Sequence, residues 1–145
     1  MAAVLVPTNA GEAAEYDALI PPRDEENQLV VRTIERAPGH WYARFDDITW
    51  ELDCPNGATD FVTLEGGDYR PREVPIRHGR FHAALRQVNF EFDPFVSSGT
   101  FVLSGRLGPR RAWGRRLTGS IRAYRVGGDG TVCSERTFFG ARRFS

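Results

Sequence analysis

From about residue 28 onward, apolar and polar side chains take turns. Ile48, Trp50 and Leu52 are interleaved with Thr49, Glu51 and Asp53, and Phe81, Ala83 and Leu85 stand on one parity of their run. Phe101, Leu103 and Leu107 share a parity over 100–107. Over 113–124, Leu117, Gly119, Ile121 and Ala123 oppose Arg116, Thr118, Ser120, Arg122 and Tyr124. A period of two is the signature of a strand with one buried and one wet face. A short β-branched run at 29–34, strand-like runs at 59–64 and 88–92 and a closing strand at 132–144 complete the pattern. Pro38-Gly39, Pro55-Asn56-Gly57, Gly66-Gly67-Asp68, Asp93-Pro94 and Gly127-Gly128-Asp129-Gly130 separate them as turn formers. About seven or eight short strands with regular turns predict an all-β fold, an antiparallel β-sandwich or flattened barrel. Asp46-Asp47 breaks the pattern of its strand and predicts a bulge or kink. The core is expected to hold Ile48, Trp50, Leu52, Phe81, Leu85, Phe101, Leu103, Leu117, Ile121 and Phe139.

Residues 1–27 read differently. The stretch 11–20 has the composition for one or two helical turns, Pro21-Pro22 stops it, and Arg23-Asp24-Glu25-Glu26-Asn27 is a charged cluster. Isolated helices so short are marginal in water. The expected organisation is a loosely ordered N-terminal tail, 1–27, and a single β-sandwich domain, 28–145. No segment approaches the ~20 apolar residues of a membrane-spanning helix. The N-terminal Met-Ala-Ala-Val-Leu-Val-Pro lacks the basic region and apolar length of a signal peptide. The expected location is therefore the cell envelope or exterior if a signal peptide was removed, and the cytoplasm otherwise.

Charge changes this picture more than composition does. The net charge is zero, yet residues 1–100 hold nine arginines and seventeen acids, while residues 101–145 hold ten arginines and two acids. There is no lysine. The late arginine-rich strands are expected to lie beside the earlier acidic ones, with Arg115, Arg116 and Arg122 meeting Glu51, Glu65 or Glu91. Such exposed pairs contribute only ~0–1 kcal/mol each.

No constellation of side chains announces catalysis. His78 and His82 would stand about 13 Å apart on one strand, too far to share a metal. The loop around Asp129 lacks the alternating ligands and closing Glu of a calcium-binding hand. Ser104 lacks a nucleophile elbow. A glycosidase pair could be nominated from Glu51, Asp53, Glu65 or Glu91, but seventeen acids in the first hundred residues make any such nomination uninformative. Glycine-rich phosphate loops precede helices, and this one precedes a strand. The expectation is a non-enzymatic protein with no catalytic residue, cofactor or metal. Trp113, Arg115, Arg116, Arg122, Tyr124 and Arg125 form the candidate ligand-binding surface. Guanidinium forks mixed with aromatic faces suit an acidic polysaccharide or an acidic protein surface; nucleic acid is the less favoured partner. The simpler alternative is a solvated face on which arginine stems cover apolar surface. Gly105 and Gly119 share the parity of their strands' apolar residues, so a large aromatic such as Trp50 or Phe139 is expected to pack over them.

Cys54 and Cys133 each sit at the end of an alternating run, which favours a disulfide over two buried thiols. A family resemblance joins these features. Gly79-Arg80-Phe81, Val102-Leu103-Ser104-Gly105-Arg106-Leu107, Leu117-Thr118-Gly119-Ser120-Ile121-Arg122 and Cys133 followed by Phe139-Gly140-Ala141-Arg142-Arg143 carry it. Together they resemble the small secreted β-sandwich domains of uncharacterised function that are frequent in GC-rich bacteria. The resemblance spans about 48–143 and implies an envelope or extracellular setting and a Cys54–Cys133 bridge, with no activity. The function expected first is an extracytoplasmic module with a binding or structural role, recognising an acidic or carbohydrate surface through its Arg/aromatic strand. Second is a small apolar-ligand carrier with a barrel cavity lined by Trp50, Phe90, Phe92 and Phe101. An enzyme of unknown class is third.

Overall fold

The computed structural model describes residues 13–20, 27–109 and 115–142. Ten strands follow one another: β1 (Ala13–Leu19), β2 (Gln28–Ala37), β3 (His40–Asp53), β4 (Thr59–Glu65), β5 (Tyr69–Arg70), β6 (Glu73–Pro75), β7 (Arg80–Gln87), β8 (Val96–Leu107), β9 (Arg116–Gly127) and β10 (Val132–Arg142). Eight are seven residues or longer, and β5 and β6 are short. Every pairing is antiparallel. One sheet runs β4-β3-β2-β1 with β6 beside β3. The other runs β10-β9-β8-β7-β5. They meet where β1 touches β10 at Leu19 and Gly140, and the two five-stranded layers do not close into a barrel. The architecture is a sandwich.

Alternation builds both layers. In β7 the pattern is strict, with Phe81, Ala83, Leu85 and Gln87 buried and Arg80, His82, Ala84 and Arg86 exposed. The ten expected core residues are all buried, and Phe45, Leu29, Val31 and Val62 join them. Between the layers Phe45 and Phe81 pack edge to face, ring centres 5.7 Å apart. The Tyr69 hydroxyl is buried and donates to the Phe45 carbonyl oxygen at 2.8 Å. Burial pushes the phenol's pKa well above its usual range, and the nearby Asp47 and Asp46 charges push the same way.

Asp46 is the extra residue of a bulge: Val30 pairs with Asp47 and Val31 with Phe45. The bulge gathers three arginines, with Arg44 at 3.0 Å, Arg72 at 3.3 Å and Arg32 at 3.7 Å from the Asp46 carboxylate. It also divides β3 between two neighbours, its first part pairing β6 and its second β4.

Two expectations need correction. Part of the supposed tail, Ala13–Leu19, is a full strand between β2 and β10. Tyr16, Ala18 and Ile20 are buried at every second position, and Glu15 meets its cross-strand partner Arg32 at 2.9 Å. Sheet pairing and burial override the helical propensity of Ala and Glu. Residues 1–12 and 21–26 lie outside the described residues. The run 88–92 is not a strand: Asp93 N–H donates to the Phe90 carbonyl at 3.0 Å, and Asn89 ties the loop to Asp68 at 2.8 Å. Phe92 is left 85 % exposed.

Candidate anion-binding face

β7, β8, β9 and β10 lie side by side in register, so their outward residues form rows across the sheet. One row reads Arg80, Arg106, Thr118, Gly140; the next reads His82, Ser104, Ser120, Phe138. A third reads Ala84, Val102, Arg122, Arg136, and a fourth Arg86, Thr100, Tyr124, Ser134. Arg116 stands at the start of β9. Six exposed arginines thus share this face: Arg80, Arg86, Arg106, Arg116, Arg122 and Arg136. None of the outward residues in these rows is a carboxylate. Among the described residues none of the six arginines makes an ion pair.

The opposite sheet is acidic on balance, and its arginines Arg32, Arg36 and Arg44 are paired with Glu15, Glu73 and Asp46. Its outward positions include Asp47, Asp53 and Glu65, all exposed, and half-buried Glu51. The charge asymmetry along the chain has become an asymmetry between two outer faces. This overturns the expected neutralisation of Arg116 and Arg122 by Glu51, Glu65 or Glu91. Glu51 and Glu65 belong to the other sheet, and Glu91 is on the 88–95 loop. Arg115 does not meet them either; its Nε is buried without a hydrogen-bond partner.

The sequence-nominated surface therefore splits. Arg116, Arg122 and Tyr124 point outward, and Tyr124 is 45 % exposed. Trp113 lies outside the described residues. Arg125 is a correction, because it shares the inward parity of Ile121 and Ala123 and is buried. Its Nε lies 3.3 Å from Asp60 and its Nη2 3.1 Å from Asp93. No N–H of the guanidinium aligns with an acceptor, so the contacts are Coulombic rather than directed hydrogen bonds. Asp60 comes from β4 and Arg125 from β9, so this contact spans the two sheets. Burial raises the Asp60 pKa above its ordinary value and Asp93 adds to that, while Arg125 opposes it.

Close by, Cys54 and Cys133 are joined in a disulfide that spans 79 positions and ties the chain just after β3 to β10. Cys133 is the cross-strand partner of Arg125.

An open groove of about 900 Å³ crosses the arginine face, lined by Arg80, Arg106 and Thr118 on one side and His82, Ser104, Ser120 and Phe138 on the other. Arg77 and Pro75 also line it. The His82 Nδ1 and Ser104 Oγ are 2.9 Å apart. Phe138 is 70 % exposed. His78 is elsewhere, at a positive φ of 53° in the tight turn between Arg77 and Arg80. Asp129 accepts from the Thr131 N–H at 2.9 Å, which lowers its pKa and gives it a turn-forming role. No group of three metal-ligating side chains occurs among the described residues.

Sequence reasoning missed Arg80, Arg86, Arg106, Arg136, His82, Ser104, Ser120 and Phe138 as members of this surface. Their outward parity was readable strand by strand, but their adjacency depends on register. The carrier lining does not assemble: Trp50 and Phe101 are buried in the core, whereas Phe92 is exposed on its loop. Comparison with known protein families, with characterised proteins and with solved structures finds no match to this chain.

Proposed function

We propose that this protein is a non-enzymatic, extracytoplasmic binding module whose β7–β10 face recognises a polyanionic surface. One observation carries the proposal: six exposed arginines stand on one face without a single carboxylate among its row positions. Unpaired guanidinium groups in an array attract a polymer of negative charge by Coulomb forces and by release of its counterions. Arginine suits carboxylate and sulfate alike because its planar fork bonds two oxygens at once. Placement outside the cytoplasm is supported by the disulfide, which oxidising compartments favour. No helix among the described residues is long and apolar enough to cross a membrane.

The test is heparin chromatography of the intact protein beside an Arg106→Glu/Arg122→Glu variant. Both positions are exposed, so the variant should keep its fold. The wild type should be retained at about 0.15 M salt and released as salt approaches about 1 M, where the screening length falls to roughly 3 Å. The variant should pass through unretained. Passage of the wild type at about 0.05 M salt removes the proposal.

A further inference from the structure

Building on the polyanion reading, we infer that the groove across β7–β10 takes an acidic saccharide, a polymer bearing hydroxyl groups as well as carboxylates. The arginines alone would select only for charge. Between them, however, the groove presents the hydroxyls of Thr118, Ser104 and Ser120 and the imidazole of His82. Ser104 and His82 hold each other at 2.9 Å, which leaves the second ring nitrogen of His82 for a ligand. Thr118 and Ser120 have no side-chain hydrogen bond among the described residues. A hydroxyl both donates and accepts, and the remaining ring nitrogen of His82 does one or the other according to its tautomer. Such a set matches a ligand whose own groups do both.

The rows set the scale. The His82, Ser104, Ser120, Phe138 row crosses four adjacent strands, about 14 Å at the usual strand spacing. Arg80 and Arg106 flank it on one side and Arg122 and Arg136 on the other, each one pleat repeat away. A linear chain lying along the row would meet hydroxyl partners beneath it and guanidinium groups on both flanks. Phe138 closes the row with an exposed ring against which the C–H face of a sugar can pack. Single-stranded nucleic acid fits less well, because its bases stack on successive aromatic platforms and, of the phenylalanines lining this groove, Phe138 alone is exposed.

Calorimetric titrations of the full chain with polygalacturonate oligomers and with inorganic polyphosphate test the inference. The variant is Ser104→Ala/Ser120→Ala/Phe138→Ala, at exposed or half-exposed sites, checked for an unchanged melting temperature. The single variant Phe138→Ala is measured alongside in case the triple is unstable. Both variants should weaken polygalacturonate binding, the triple by about tenfold or more, while polyphosphate affinity stays within about twofold. Polyphosphate binding that persists while polygalacturonate binding is absent, or is equally indifferent to both variants, overturns this inference and leaves the polyanion proposal standing. Tighter binding of an oligo-dT strand than of polygalacturonate at equal salt also overturns it. Failure of the wild type to bind either polymer removes both.

Discussion

Gly105 lies at the inner surface of β8 beneath the ring of Phe81, and replacing it with alanine should open the sandwich. A Cβ at that position would stand 2.1 Å from Cζ and 2.3 Å from Cε1 of Phe81. The ring cannot swing away freely, since it is 5 % exposed and packs edge to face on Phe45. Overpacking of this kind destabilises by about 1–3 kcal/mol, and disturbing the aromatic pair adds about 0.5–1.5 kcal/mol. Alanine recovers about 0.4–1 kcal/mol by narrowing the unfolded ensemble. A net loss of about 0.5–4 kcal/mol, centred near 2, is expected for Gly105→Ala, read as a lower urea midpoint at unchanged slope. If the ring is the cause, trimming it relieves the clash. Gly105→Ala/Phe81→Leu should then be more stable than the sum of its single changes implies, by about 1–3 kcal/mol. Gly119 is the control. Its Cβ would stand 2.1 Å from the Ser104 carbonyl oxygen as well as 2.6 Å from Cζ of Phe139, so Phe139→Leu leaves the backbone clash in place and rescues Gly119→Ala poorly. A change within about 0.5 kcal/mol for Gly105→Ala, or strict additivity with Phe81→Leu, would refute the packing argument.

Three further outcomes are expected. Bridging residues 79 apart removes about 4.5 kcal/mol of loop entropy from the unfolded chain, so Cys54→Ser/Cys133→Ser should melt roughly 10–15 °C lower; an unchanged melting temperature contradicts this. Because burial holds the Asp60 pKa above its ordinary value, the folded state keeps, between the unfolded and folded pKa values, a proton that the unfolded chain has already released. That contribution is fully present below the unfolded pKa and is lost as pH rises through the folded one. Asp60→Asn should therefore stabilise the protein at pH 7, with the gain vanishing in acid; urea midpoints that fall at pH 7 would show that pairing with Arg125 outweighs burial. Tyr69→Phe strands the buried Phe45 carbonyl and should lower stability by about 1–2 kcal/mol, with no loss in the urea midpoint as the opposing result.

Much of the architecture was legible because a strand's buried face repeats every second residue. Trp50, Leu103 and Ile121 declare their burial through their neighbours alone, and the bulge at Asp46 announces itself as two consecutive acids where alternation should continue. β1 was not legible, because its alanines and glutamates favour a helix locally and only pairing with β2 makes Tyr16 and Ala18 a buried row. The loop at 88–92 misled for the opposite reason: Val88, Phe90 and Phe92 alternate, yet Asn89 and Asp93 close a turn through hydrogen bonds that periodicity does not show. Arg125 keeps strand parity with Ile121 and Ala123, so its inward course was readable, but the carboxylates that receive it come from β4 and a distant loop. The binding face lies furthest from the sequence. Arg80, Arg106, Arg122 and Arg136 sit on four different strands, and nothing local tells that register sets them together while placing Glu51 and Glu65 on the other layer.

If these arginines, unpaired among the described residues, form one cationic surface, polyanion binding must depend steeply on salt. Titration of a fluorescent oligo-dT strand, used only as a probe of charge, across roughly 0.05–0.3 M salt should give a linear plot of log K against log salt. Engagement of four to six arginines corresponds to a slope of about −3 to −4 for a single strand. Arg106→Glu/Arg122→Glu should flatten that slope by at least about 1. A wild-type slope near zero, or no binding at the lowest salt, would contradict the claim.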